Sequence, residues 1–123
     1  MTEEPQYELT LGELIDIVSI NHIKIILKQR NATAQEDNLN LIKDIDLVGK
    51  DVPFDANFIK LVIMLAQTNY HIWHCRANTQ VEEAHKYNSI RNLLKNKLSA
   101  KANENAPELK FNENELKELG FEI

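Results

Sequence analysis

Two sets of polar residues recur at helical spacing in the second half of the chain: Asn69, Trp73 and Arg76 at i, i+4 and i+7, and Asn88, Arg91 and Lys95 at i, i+3 and i+7. Such steps keep side chains on one helix face. Arginine offers a planar fork for phosphate or carboxylate, lysine a point charge, asparagine a donor and an acceptor, and tryptophan a flat face for a base. No acid lies between Ala56 and Val81, and from Asn57 to Lys101 seven bases oppose only Glu82 and Glu83. An antiparallel pair of these helices would converge amides and cations on a small anion. The competing arrangement joins Asn69 to Asn88 across the helix interface and lets the arginines snorkel or reach acids on another segment.

Other reactive side chains form less complete sets. His71, His74 and Cys75, with His85 further on, suggest metal binding, but Cys75 points about 100° away from His74 around a helix axis. A zinc site needs three or four converging ligands, so no metal site is expected, and Trp73 should pack inward with His71 and His74 beside the seam. Glu13 and Asp16 stand at i and i+3, the arrangement that helical nucleotide pyrophosphatases use for magnesium. Such an enzyme needs a second acidic pair on another helix, and the third helical segment holds no acid. Glu13 is better explained as a cap, and Asp16 as an ion-pair partner of a base near Lys24 or of Arg91 across the bundle. No Ser-His-Asp order, glycine-rich phosphate loop or nucleophile motif is present.

Charge is distributed unevenly over the 123 residues. Residues 1–20 carry five acids and no base, residues 21–101 twelve bases and eight acids, and residues 102–123 six Glu and two Lys. The segments therefore carry −5, +4 and −4, for a net charge of −5. That total disfavours a tracker of long nucleic acid but leaves room for an anion in the middle of the chain. The single Cys75 excludes an internal disulfide framework, and the acidic N-terminus lacks the basic and apolar regions of a signal peptide. No segment approaches the ~18 to 20 apolar residues that span a bilayer. A soluble, cytoplasmic protein is expected, without a membrane partner. Fourteen Asn among many Ile and Lys suggest an A/T-rich coding genome, such as many phages and marine microbes have; a phage origin would place the protein in a host cytoplasm.

Positioning these residues requires helices. Three Gly and three Pro are too few for a β-sandwich or barrel, and no alternating strand pattern appears. Thr10 and Glu13 form a capping box flanked by Leu9 and Leu14, so a first helix begins at Leu11 and continues to about Arg30. Leu11, Leu14, Ile15, Val18, Ile20, Ile23, Ile26 and Leu27 supply its broad apolar stripe. A second helix fits Glu36 to Val48, with Leu41, Ile42, Ile45 and Val48 as its stripe, and Gly49 ends it. Asp55 caps a third, Ala56 to about Thr79, with Phe58, Val62, Leu65, Ile72 and Trp73 on its seam. A fourth spans Val81 to Lys101 with Ala84, Tyr87, Ile90, Leu94 and Leu98 inward. Asn78-Thr79-Gln80 reads as a turn or a polar girdle. Beyond Ala102 the chain is polar; Asn112 and Glu115 form a second capping box for a short helix ending at Gly120, an appendage that docks on the bundle or on a neighbouring subunit.

The expected fold is an all-α bundle of three to four main helices over residues 1–101, followed by a polar C-terminal tail, 102–123, with a short docking helix. The apolar content of the first and third helices exceeds what a lone bundle can bury, which implies a homo-oligomer.

Three stretches carry a resemblance: Leu11-Gly12-Glu13-Leu14-Ile15-Asp16 with Ser19-Ile20 and Ile23-Lys24, then Asn69-Tyr70-His71-Ile72-Trp73-His74, then Asn88-Ser89-Ile90-Arg91-Asn92-Leu93. Together they resemble an uncharacterised family of small all-helical proteins of bacteria and phages, over most of residues 9–98. The resemblance implies a helical fold and a shared design at the Asn, Trp and Arg positions. Arg76 and Ala77 stand where that family carries two acids, which argues against a metal there.

The leading functional expectation is a non-enzymatic helical oligomer that binds, and thereby sequesters, a small anionic ligand such as a nucleotide signal at Asn69, Trp73, Arg76, Asn88, Arg91 and Lys95. No cofactor is expected. Two alternatives stand beside it: a protein-interaction module acting on a host protein, and a magnesium-dependent nucleotide pyrophosphatase-like hydrolase using Glu13 and Asp16.

Overall fold

A computed structural model describes residues 4–28, 32–74 and 81–102. They form four helices, α1 (Leu11–Lys28), α2 (Ala32–Val48), α3 (Ala56–His74) and α4 (Val81–Lys101), and no strand occurs among the described residues. The all-α bundle expected from the sequence is the fold.

Local chemistry sets the helix ends. Thr10 Oγ1 accepts from the Glu13 amide at 3.3 Å while Glu13 Oε1 accepts from the Thr10 amide at 3.1 Å, the reciprocal capping box that starts α1. Asp55 Oδ1 accepts from the Phe58 amide at 2.8 Å and starts α3 in the same way. The Gly49 amide closes α2 by donating to the Ile45 carbonyl at 2.8 Å, and Val52 donates to Gly49 at 3.0 Å as the chain turns towards Pro53.

α1 is the central helix. It packs on α2, α3 and α4, and α3 packs along α4. One core joins Leu11 and Ile15 of α1 to Leu61 and Leu65 of α3 and Ile90, Leu94 and Leu98 of α4, with Ile45, Val48, Phe58 and Tyr87 against its edges. Each such leucine contributes about 1.5–3 kcal/mol through burial. α2 packs on α1, with Ala34 and Leu41 buried, and is joined to it by a buried amide pair in which Asn21 Nδ2 donates to Asn38 Oδ1 at 3.0 Å. Buried Asp44 of α2 accepts from the Gln6 and Tyr7 amides at 2.8 and 2.7 Å, which pins the segment before α1.

Three expectations shift. α2 begins at Ala32, a turn before Glu36, because Ala34 is buried and too small to register in an apolar stripe. Ile26 and Leu27, expected in the α1 stripe, are 72% and 39% exposed, and Ile42 of α2 is also exposed. The continuation of α3 beyond His74, the turn at 78–80 and the short helix of the tail lie outside the described residues.

Candidate functional site

The site begins with a glycine. A Cβ on Gly12 would overlap the Lys95 carbonyl of α4, so only glycine lets the two backbones approach this closely. The Gly12 amide, one of the first-turn donors that a helix leaves unpaired, donates to buried Ser99 Oγ at 3.0 Å. This crossing fixes the register of α1 on α4, and one turn further along α1 it sets Asp16 opposite Arg91.

Asp16 is 1% exposed and sits at the junction of three helices. Its Oδ1 accepts from Asn69 Nδ2 at 2.8 Å and from Arg91 Nε at 2.9 Å; its Oδ2 accepts from Arg91 Nη2 at 2.5 Å, with Lys95 Nζ at 3.8 Å. Asn69 Nδ2 also donates to Ser19 Oγ at 2.9 Å. The bidentate fork gives strength and direction to this contact. The hydrogen bonds that Arg91 donates to Asp16 raise the Arg91 pKa above its ordinary value; burial opposes this, and the Asp16 charge adds to it. A raised folded pKa keeps the stabilisation intact below the unfolded value and loses it only as pH climbs through the folded one, so Arg91 stays cationic across the neutral range.

Of the six residues expected to bind a ligand, Asn69, Arg91 and Lys95 meet around Asp16. Trp73 and Asn88, each one helical turn away from that cluster along its own helix, are half-buried. Arg76 lies outside the described residues, as does Cys75. The Asn69 amide nitrogen turns to α1 rather than to Asn88, so the arrangement in which cations reach an acid of another segment holds for Arg91 and Lys95. His71 packs against Tyr87 with ring centroids 4.1 Å apart and the planes tilted by 43°, and His74 and Tyr70 meet edge to face at 4.5 Å.

These contacts decide what the carboxylates do. Glu13 is engaged in its cap and Asp16 in an ion pair, and no group of three or more His, Cys, Asp or Glu among the described residues could hold a metal ion. One carboxylate facing two cations leaves a formal charge of +1, and Arg91 and Lys95 keep 27% and 22% of their side-chain surface in solvent.

A second feature escaped residue-by-residue reading. Between α1 and α3 runs an open groove of about 470 Å³ lined mainly by Ile15, Val18, Ile23, Ile26, Val62 and Ala66. Ile63 and Tyr70 stand exposed on the α3 side. Its signal in the sequence is the surplus of apolar residues in the first and third helices, which announces an unburied face without locating it.

The fold and site define a small all-α bundle with a buried ion-pair lock and a mainly apolar groove that none of the described residues fills. Comparison with protein-family models, with curated proteins and with solved structures finds no match to this chain. Among the described residues no helix is long and apolar enough to cross a membrane.

Proposed function

We propose that the protein is a non-enzymatic interaction module that receives an amphipathic helix from a protein partner, a second copy of itself included, in the groove between α1 and α3. The observation that carries this reading is the groove itself. Its walls are mainly apolar, with Ser19, His22 and Gln67 among them, and Ile26 is 72% exposed, an arrangement suited to the apolar face of an amphipathic helix. The polar lock supports it by holding α1, α3 and α4 in register, so that the groove is preformed. The test is native purification of the tagged chain from its source cell, beside the Ile26→Glu variant, with sedimentation of both. One stoichiometric partner, or self-association, that Ile26→Glu loses is the expected result. A monomer in both cases, with no partner recovered in a groove-dependent way, overturns it.

A second reading keeps the small anionic ligand, such as a nucleotide, at Asn69, Trp73, Arg76, Asn88, Arg91 and Lys95. It is supported by the surplus positive charge around Asp16 and the partial exposure of Arg91 and Lys95. Thermal-shift measurements against mono-, di- and cyclic nucleotides test it, with stabilisation expected that weakens as salt rises. Absence of any shift at about millimolar ligand removes it.

A further inference from the structure

Beside the groove between α1 and α3 stands an apolar ridge. Ile59, Ile63, Ala66 and Tyr70 follow at i, i+4, i+7 and i+11 and so share one face of α3, on which Ile59, Ile63 and Tyr70 are exposed. That spacing is the one by which a helix anchors itself in an apolar groove. Ala66 and Tyr70 also line the groove, with Val62 next to them round the helix. Crest and groove are therefore one continuous surface, and α3 belongs to both.

Length, charge and area fit the crest of a second copy to the groove. From Ile59 to Tyr70, as from Ile15 to Ile26, there are 11 residue steps, about 16 Å of helix in each case. No Asp, Glu, Lys or Arg lines the groove, and the four crest residues carry no charge, so their union buries no unpaired ion. α2 also exposes Leu39 and Ile42, but exposed Asp46 shares their face at i+7 and i+4 and would enter an apolar groove as a bare carboxylate. From Ile59 to His74 the α3 face is about 22 Å long, and two helices side by side are about 20 Å wide. Two copies then cover about 900 Å² in projection, and more in accessible surface, which is the lower range of specific interfaces and suits a reversible dimer. Because α3 supplies both the crest and one groove wall, a single two-fold operation seats each crest in the opposite groove and closes the assembly at two copies.

We propose that two copies of this chain pair about a two-fold axis, each laying the Ile59–Ile63–Tyr70 crest of α3 into the α1–α3 groove of the other. This rests on the groove being a helix-binding site. Sedimentation of the full chain between about 10 μM and about 1 mM, with methyl NMR of a mixture of differently labelled chains, tests it. The expected result is a monomer–dimer equilibrium in which the Ile59 and Ile63 methyls of one chain contact Val18 and Ile26 of the other. Ile63→Glu and Ile26→Glu, both on the surface, should each leave a folded monomer, whereas Leu39→Glu on α2 should leave the dimer intact. A monomer throughout that range, growth beyond two copies, contacts between chains that omit α3, or a dimer indifferent to Ile63→Glu each overturn it. The two ideas fail separately: if the chain stays monomeric while Ile26→Glu still loses a different protein partner, the groove reading stands without the dimer.

Discussion

Arg91 grips Asp16 with both Nε and Nη2 across 75 residues of sequence, and the two partners are unequally buried. The carboxylate is sealed in, whereas the guanidinium retains a path to water. Removing either partner therefore has different consequences.

Arg91→Ala leaves a buried carboxylate with one amide and a lysine at 3.8 Å, and should lower stability by about 3–5 kcal/mol. Asp16→Asn preserves shape and frees a cation that can turn outward, for a smaller loss of about 1–3 kcal/mol. Arg91→Lys should rescue little, because a point charge cannot span both oxygens. Urea unfolding of the three variants reads the order; equal losses for Arg91→Ala and Asp16→Asn would contradict it.

Gly12→Ala drives a methyl into the Lys95 carbonyl and must part α1 from α4, at a cost of about 3 kcal/mol or more. Ser99→Ala only strands the Gly12 amide, for about 1–3 kcal/mol. Thermal unfolding should rank them in that order. Amide exchange should reveal the Ser99→Ala defect at the first turn of α1.

The Asn21–Asn38 pair predicts non-additivity. Among the described residues Asn38 Nδ2 has no hydrogen-bond partner, so the pair carries an unsatisfied donor there. Either single substitution to leucine should lower stability by about 1–3 kcal/mol, while the double substitution should be neutral or stabilising. A double variant as weak as the sum of the singles would show that the amides do not act as a unit.

Ile26→Glu alters an exposed rim and should change stability by no more than about 0.5 kcal/mol. Leu94→Ala empties the centre of the core and should lose about 2–5 kcal/mol. Circular dichroism melting of the pair separates the apolar surface that folds the chain from that left for binding.

What could be read from sequence was what depends on neighbours a few residues apart. Thr10 with Glu13, Asp55 and Gly49 marked helix ends because capping is a contact within one turn. The shared faces of Asn69 with Trp73, and of Arg91 with Lys95, were legible for the same reason. That Asn69, Arg91 and Lys95 meet on Asp16 depends on where α1 crosses α4, which Gly12 sets through a backbone approach that no periodicity encodes. Asp16 therefore had two candidate kinds of partner until the crossing was known. The start of α2 was hidden by Ala34, and the Asn21–Asn38 pair by its resemblance to twelve other asparagines.

The lock also dictates an order of events as the chain is made. Asp16 emerges from the ribosome 75 residues before Arg91, and the Gly12 amide waits 87 residues for Ser99. Until the second half of α4 is synthesised, the first helix holds a carboxylate and an amide that it cannot bury without their partners. The contacts that join α1 to α4 can therefore form only once α4 has been made, which places their closure late among the events that fold these helices.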